Sequence, residues 1–445
     1  MINLSPEILT ALMLGGILLL VLTGFPVGFV IGGIGLGVGY LIFGNAISTL
    51  LYERALALMI NYILLAVPLF IFMGTMLEYS GIAEKVFDAL YVWFGNIRGG
   101  LAVTTMVLGT LVAATVGIVA ASVTMLSLAA LPTMIKRGYS KSLASGTVCA
   151  GGTLGILIPP SVILVLYGPM ASISVGKLFM GAFIPGFLLS ALYCVYILIY
   201  SYFRPKAAPA IPPELIPKIP LWKKTLNLFI AVAPIGILIL AVLGVIFMGI
   251  APPSEAAAVG AFVATLLVIA YRRFNFKVLK EVSLSTLRSS GFIFLILAAA
   301  VAFVGVFVRG GGSDVASELI MGVPGGRWGA FTVIMFLIFI LGFFIDVLAI
   351  VFIMVPIITP IAAALGFDPL WFAMMVNVNF QMAFMTPPFA MAIFVVRGTA
   401  SPELGLTMGD IIRGVIPFVF LIMVGLGLLV IFPDLILWLP SKMIR

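Results

Sequence analysis

Two stretches of this sequence are apolar for longer than a single membrane crossing requires. Residues 99–135 contain no charged residue, and residues 328–367 contain one, Asp346. Roughly 20 helical residues cross a bilayer core of about 30 Å, whereas either stretch would extend more than ~50 Å as one helix. Each stretch must therefore fold back, either as two full spans or as a re-entrant hairpin.

The composition places the rest of the chain in lipid as well. Hydrophobic residues make up 63% of the 445 residues and charged residues 9%, against about 45–50% and 25% in soluble domains. Histidine is absent, which excludes His-based catalysis and His metal ligation. Cys149 and Cys194 both lie in apolar runs and do not support a disulfide framework. The predicted fold class is an all-α polytopic membrane protein, and the net charge of +8 is interpreted as an orientation signal and not as a nucleic-acid surface.

Eight further apolar stretches are each long enough for one crossing. They lie near residues 7–23, 25–43, 62–80, 178–203, 226–248, 256–271, 290–308 and 408–433. The N-terminus lacks the basic region of a secretory signal and carries Glu7, so we expect no cleavage there.

An internal repeat is the strongest signal of organisation. The pair Pro159-Pro160 recurs as Pro387-Pro388, 228 positions later (159 to 387). The same offset superposes the two fold-back stretches and aligns further positions: Pro132 with Pro360, and Gly138 with Gly366. Several ordered matches at one offset favour a duplication over chance.

The repeat predicts two domains and a linker, each with internal boundaries. The N-terminal repeat covers 1–203, a Pro-rich linker covers 204–224, and the C-terminal repeat covers 225–445. We expect a first hairpin at about 99–136 with a broken helix at about 140–170, and a second hairpin at about 328–366 with a broken helix at about 369–396.

Charge predicts the orientation of these elements. The linker contains six prolines and five cations, which indicates a solvated, cytoplasmic segment. Lys136, Arg137 and Lys141 would lie on the same side, but the positions 228 residues later carry no charge. That asymmetry predicts a second repeat inserted upside down, with the N-terminus and the C-terminus in the periplasm.

The proline doublets predict functional breaks in two helices. Each doublet removes backbone donors and breaks the helix before it, and freed carbonyls inside lipid are costly unless they line a cavity or bind an ion. Half-helix N-termini favour anions, whereas exposed carbonyls favour Na⁺. The alternative is a simple proline kink. Neutral polar side chains surround the breaks: Thr147, Thr153, Ser161, Asn377, Asn379, Gln381 and Thr386.

The midpoints of the fold-back stretches are also polar. The first midpoint contains Thr115, Gly117 and Ser122, and the second contains Gly342 and Asp346. A carboxylate inside a membrane indicates a functional site with Na⁺ or a proton as its partner. The alternative is a carboxylate that caps a helix or reaches water.

At these residues the chain resembles the large membrane (M) subunit of a TRAP (tripartite ATP-independent periplasmic) transporter. Three motifs carry the resemblance over almost the whole chain. They are residues 150–161 (AGGTLGILIPPS), residues 379–389 (NFQMAFMTPPF), and GFFID at 342–346 followed by LGFDP at 365–369.

The resemblance implies an elevator-type secondary transporter of the bacterial inner membrane, similar to the ion-transporter superfamily and driven by Na⁺. It implies two partners, a small membrane subunit and a periplasmic substrate-binding protein that delivers an organic anion, and no organic cofactor. One Na⁺ site would comprise Thr115, Gly117, Ser122, Gly152 and Gly155. The other would comprise Gly342, Asp346, Asn379 and Thr386. The substrate would lie near Ser122, Thr153 and Gln381.

Three other functions stay open at this point. The first is a self-sufficient Na⁺- or H⁺-coupled anion symporter or antiporter of a related inverted-repeat family. The second is an intramembrane enzyme, which the lack of histidine and of a buried acid pair argues against. The third is a passive channel, which would show a non-saturating flux without Na⁺ dependence.

Overall fold

The computed structural model describes residues 4–212 and 219–443, and within them the chain is helical with no strand. The first eleven helices are α1 Pro6–Leu22, α2 Val27–Phe43, α3 Ala46–Met59, α4 Ala66–Glu78, α5 Ile82–Phe94, α6 Gly100–Val116, α7 Val119–Ala129, α8 Leu131–Lys136, α9 Lys141–Thr153, α10 Val162–Ala171 and α11 Val175–Phe203. The others are α12 Leu221–Ile239, α13 Val245–Phe247, α14 Pro253–Ala270, α15 Phe276–Arg309, α16 Gly312–Met321, α17 Gly326–Leu341, α18 Val347–Ala364, α19 Pro369–Met385, α20 Met391–Thr399, α21 Met408–Ile431 and α22 Asp434–Leu437.

In the described part of the chain, seven helical segments are long and apolar enough to cross a membrane, or eight if the bent pair α3 and α4 counts as one span. Every single-crossing stretch that the sequence predicted overlaps one of the helices above, although α1 and α2 have only 17 residues each. The prediction of an all-helical multi-pass protein is confirmed. The longest helix, α15, begins well before the apolar stretch at 290–308 because the Asn275 side chain caps it by accepting a hydrogen bond from the Val278 N–H (2.8 Å).

Both long apolar stretches fold back as two helices joined by a short turn. In the first, α6 ends at Gly117, whose φ of +66° suits a residue without a side chain. In the second, α17 and α18 are joined through residues 342–346. The first helix of each hairpin packs on the neighbouring broken helix, α6 on α9 and α17 on α19.

The helix breaks predicted at the proline doublets are confirmed. Helix α9 ends at Thr153, a 3₁₀ turn follows, and α10 begins only at Val162. Likewise α19 ends at Met385 and α20 begins at Met391. The Pro159-Pro160 and Pro387-Pro388 peptide bonds are both cis.

The two broken helices run in opposite directions. The start of α9 lies beside the segment that follows α20, because Lys141 Nζ donates a hydrogen bond to the Gly405 carbonyl (2.6 Å). The start of α19 lies beside the start of α11, where Gly181 faces Leu370 and Met374. The second helix of each hairpin also packs on the second half of the broken helix from the other repeat: α7 packs on α20, and α18 packs on α10. This arrangement agrees with an inverted duplication, whose orientation in the membrane stays a prediction.

Helix α11 ends at Phe203, at the predicted start of the linker, whereas the other end and part of the interior differ from the prediction. Helix α12 begins at Leu221, so the linker ends at 220 and not at 224. Part of the linker is not solvated, because Ala208 and Ile211 are buried. The Ala207 and Ala208 carbonyls accept hydrogen bonds from the Ser140 and Gly99 N–H groups (2.8 and 3.1 Å). Backbone hydrogen bonding to the base of the first hairpin holds this segment in place. The predicted linker residues 213–218 lie outside the described residues.

Candidate functional site

The tip of the first hairpin is wedged against the first helix break. The Val162 N–H approaches the Gly117 carbonyl at 3.5 Å, and a methyl group added at Gly117 would lie 2.7 Å from the Pro160 carbonyl oxygen. One added at Gly155 would lie 3.2 Å from Ser122 Oγ, and one at Gly152 would meet the backbone of α7. Glycine is therefore what allows the tip and the break to approach this closely.

Four of the five residues predicted for the first Na⁺ site meet at this contact. The fifth, Thr115, is buried two residues before Gly117 and donates its hydroxyl hydrogen to the Val112 carbonyl (2.9 Å). The Ser122 hydroxyl is fully buried and has no hydrogen-bond partner among the described residues. A free hydroxyl beside main-chain carbonyls, without any charged side chain, is a ligand set that suits a hard monovalent cation.

The second tip contacts the second broken helix through Gly342, where an added methyl group would overlap Ala383. Asn379 ties α19 to the hairpin, because its Nδ2 donates to the Met335 carbonyl (2.7 Å). The other side-chain atom, Asn379 Oδ1, has no partner among the described residues. Asn379 thus positions the hairpin and keeps one oxygen free.

Asp346 and Thr386 make their hydrogen bonds within their own elements. Asp346 Oδ1 accepts a hydrogen bond from the Leu348 N–H (2.8 Å) and so caps α18, while Thr386 donates to the Met382 carbonyl (2.7 Å). No hydrogen bond within the described residues joins either side chain to Asn379. The structure therefore places Gly342 and Asn379 in the same contact of α17 with α19, but at different levels, against Ala383 and Met335 respectively. Asp346 and Thr386 lie at the adjoining helix ends.

The ends of the two broken helices meet where the substrate was predicted to lie. Thr153 Oγ1 donates to the Ala150 carbonyl (3.0 Å) and lies 3.8 Å from Met385 Sδ. Gln381, at the repeat position of Thr153, is fully buried, and neither of its amide atoms has a partner in the described part of the chain. Nothing in the sequence distinguishes Met385, since a buried methionine next to a helix break is ordinary core composition.

Unpartnered polar atoms inside a protein need an explanation, because each costs about 1–3 kcal/mol when left unsatisfied. Among the predicted site residues, Ser122 at the first tip and Asn379 and Gln381 on α19 before its break have such atoms. Eight helix ends border the tips and breaks as well. They are the N-termini of α7, α10, α18 and α20 and the C-termini of α6, α9, α17 and α19. Their partial charges suit anions and cations respectively, so the region can hold both in one place.

Comparison with known proteins agrees with this description. The model of the family described as "Tripartite ATP-independent periplasmic transporter, DctM component" matches residues 14–435. The C4-dicarboxylate TRAP transporter large permease protein DctM of Pseudomonas aeruginosa is 31% identical over 386 residues, 86% of this chain and 87% of that protein. The sialic acid TRAP transporter large permease protein SiaM of Vibrio cholerae is 28% identical, covering 95% and 96%. The ectoine TRAP transporter large permease protein TeaC of Halomonas elongata is 26% identical, covering 98% and 100%.

Among solved structures, the YdaH transporter of Alcanivorax borkumensis, described as having an unusual topology, matches with a TM-score of 0.64 over 90% of each chain. At 16% identity this likeness concerns the fold alone. The match to the family model over residues 14–435, in contrast, shows which family the chain belongs to. The chain belongs to the DctM family, the large membrane subunits of tripartite ATP-independent periplasmic (TRAP) transporters, and is a transporter subunit and not an enzyme.

Proposed function

We propose that this subunit imports a small organic anion together with Na⁺ across the bacterial inner membrane. The observation that carries the proposal is the set of buried, unpartnered polar side chains at the first tip (Ser122) and on α19 before its break (Asn379 and Gln381). The three relatives named above are described for C4-dicarboxylate, sialic acid and ectoine. Because these cargoes differ, we commit only to a carboxylate-bearing substrate, delivered by a periplasmic binding protein and moved with the help of a small membrane subunit.

In this proposal one Na⁺ lies at the first tip, among Gly117, Ser122, Gly152 and Gly155, with Thr115 behind them. The close contact of that tip with its break supports the assignment, since main-chain carbonyls already converge there. The other Na⁺ lies at the second tip, where the residues are Gly342, Asp346, Asn379 and Thr386. The free Oδ1 of Asn379 supports that site.

The cargo would lie between the two ions, beside Ser122, Thr153 and Gln381. The unpartnered amide of Gln381 can donate to a carboxylate through Nε2, and the N-termini of the half-helices favour the same charge. No lysine or arginine occurs in the tips or breaks, so helix ends and bound cations must offset the cost of an anion in lipid.

The movement would be of elevator type, with the two inverted repeats carrying the site across the membrane. The antiparallel course of the broken helices supports this part of the proposal. By the positive-inside rule, the linker and residues 136–141 would lie in the cytoplasm, and both chain termini would lie in the periplasm.

Uptake into proteoliposomes tests the proposed function. The complex of this chain with its small subunit is reconstituted, candidate binding proteins are added with labelled carboxylates, and uptake is measured with and without an inward Na⁺ gradient. We expect saturable uptake that requires both Na⁺ and a binding protein. Uptake without any binding protein would instead favour the self-sufficient transporter, and a non-saturating flux without Na⁺ dependence would favour a channel.

Two serines of α7 provide a matched pair of variants. Ser122 and Ser127 are both buried and both have hydroxyls without a partner among the described residues, but only Ser122 lies at the tip. We expect Ser122→Ala to raise the Na⁺ concentration needed for half-maximal uptake and Ser127→Ala to leave it unchanged. Equal behaviour of the two variants would remove the first tip from the proposed ion site.

A further inference from the structure

A groove between α3 and α15 lies far from the tips and breaks. It encloses about 560 Å³ and is bounded by two arginines, Arg54 and Arg309, and one carboxylate, Glu53. Its floor is apolar and is formed by Leu50, Ala57, Gly305 and Val308. The groove therefore combines cationic groups at the rim with a surface that excludes water.

Both arginines are placed by packing and not by ion pairs. The Arg54 side chain lies along α15 at Gly305, where an added methyl group would be 3.4 Å from its Nε and 3.6 Å from its Cγ. The Arg309 guanidinium lies 5.8 Å from the centre of the Phe43 ring, which is within the range of a cation–π contact. Within the described residues, neither guanidinium donates a hydrogen bond and neither has a carboxylate oxygen within 4.0 Å.

Other cations of the chain do find acceptors in the protein. Lys141 donates to the Gly405 carbonyl, Lys224 to the Val92 carbonyl, and Arg397 to the carbonyl that follows Gly405. The two arginines of the groove are held in position, yet their donors remain free for an acceptor that comes from outside the chain.

The depth of the groove identifies that acceptor. The apolar part of α15 runs from 291 to 308, about 27 Å at 1.5 Å per residue, which is close to the thickness of a bilayer core. Arg309 is the first charged residue beyond it. Helix α1 begins at the same level, because Leu9 and Pro6 contact Gly310 and Gly311. The Arg309 guanidinium consequently lies at the level of the lipid phosphates, and Arg54, beside Gly305, lies about one helical turn deeper. The floor of the groove lies at the level of the acyl chains.

We propose that this groove binds an anionic phospholipid. Its phosphate lies between Arg54 and Arg309, which can each donate two hydrogen bonds to it, and an acyl chain covers Leu50, Ala57 and Val308. Glu53 leaves the rim with a net charge of +1, which complements a lipid phosphodiester and disfavours a dianion such as free phosphate. The lipid fastens α3 to α15 at the membrane surface, and the inference requires only that the chain is a membrane protein.

The test measures thermal unfolding of the detergent-purified protein as a lipid is titrated, together with native mass spectrometry of lipids that stay bound. The probes are phosphatidylglycerol, phosphatidylcholine and inorganic phosphate. The variants are Arg54→Gln and Arg309→Gln, and Gly305→Leu, which fills the groove and keeps both charges. The control is Arg327→Gln, because Arg327 also lies over an aromatic ring (Trp328, 5.3 Å) but outside the groove.

Phosphatidylglycerol should raise the unfolding midpoint of the wild type and of Arg327→Gln, and the three groove variants should require at least tenfold more lipid for the same shift. Phosphatidylcholine and inorganic phosphate should have no such effect. Equal lipid retention by wild type and groove variants, or an equal response to inorganic phosphate, would overturn the proposal. So would cross-linking that seats an acidic segment of a partner protein between the two arginines.

Discussion

Replacing Asp346 by asparagine separates two roles that this carboxylate could have. Its Oδ1 caps α18 by accepting the Leu348 N–H at 2.8 Å, and it is the only ionisable side chain in the tips and breaks. Asparagine is about as good an N-cap as aspartate, whereas alanine costs about 1 kcal/mol. Asp346→Asn therefore removes the charge and keeps the cap, and Asp346→Ala removes both.

The expected effect on Na⁺ follows from the charge that is lost. A unit negative charge about 4 Å from a cation contributes roughly 4 kcal/mol at an effective dielectric constant of about 20. The amide oxygen keeps part of that attraction through its dipole. If only a third is lost, the change is about 1.4 kcal/mol, which corresponds to a tenfold weaker Na⁺ affinity.

The assay is Na⁺-dependent uptake in proteoliposomes, with thermal unfolding measured on the same preparations. Asp368→Asn is the matched control, because Asp368 caps α19 in the same way by accepting the Trp371 N–H at 2.9 Å. We expect Asp346→Asn to unfold like the wild type but to need at least ten times more Na⁺, and Asp368→Asn to resemble the wild type in both. A normal Na⁺ response in Asp346→Asn would refute the reasoning and leave this carboxylate as a cap.

Three further predictions concern packing and orientation. Tyr139→Phe should lower the unfolding free energy by about 1–3 kcal/mol, because the buried Tyr139 hydroxyl accepts a hydrogen bond from the Leu101 N–H in the first turn of α6 (3.1 Å). Tyr193→Phe should not lower it, because the Tyr193 hydroxyl has no partner among the described residues. Gly152→Ala should abolish most uptake, since its methyl group would lie 2.9 Å from a Cα of α7, while Gly427→Ala, which faces open space, should retain it. A cysteine at Lys206, in a chain with the native cysteines replaced, should react with an impermeant maleimide only from the cytoplasmic side; labelling from the periplasmic side would reverse the proposed orientation.

The parts of the fold that could be predicted are those that local physics decides. A proline doublet breaks a helix wherever it lies, so the ends of α9 and α19 were foreseeable, and an uncharged stretch longer than the membrane must turn back, which located both hairpins. The packing of residues 207–208 was not foreseeable, because their own main-chain carbonyls accept the hydrogen bonds that hold them, and any residue supplies a carbonyl. The contact of Thr153 with Met385 was equally hidden, since it joins residues from different repeats.

The net charge of the proposed binding centre, meaning the two hairpin tips and the two helix breaks, connects the predicted ions with the cargo. Asp346 is the only charged residue there, so without ligands the centre carries one negative charge, which is costly to move through lipid. With two Na⁺ ions and a monovalent carboxylate bound as proposed, the centre carries no net charge. Neither ligand alone gives that result: two ions without cargo leave one positive charge, and cargo without ions leaves two negative charges. Coupling would then follow from the cost of an uncompensated charge, and a dicarboxylate would require a third cation, visible as a steeper dependence of uptake on the Na⁺ concentration.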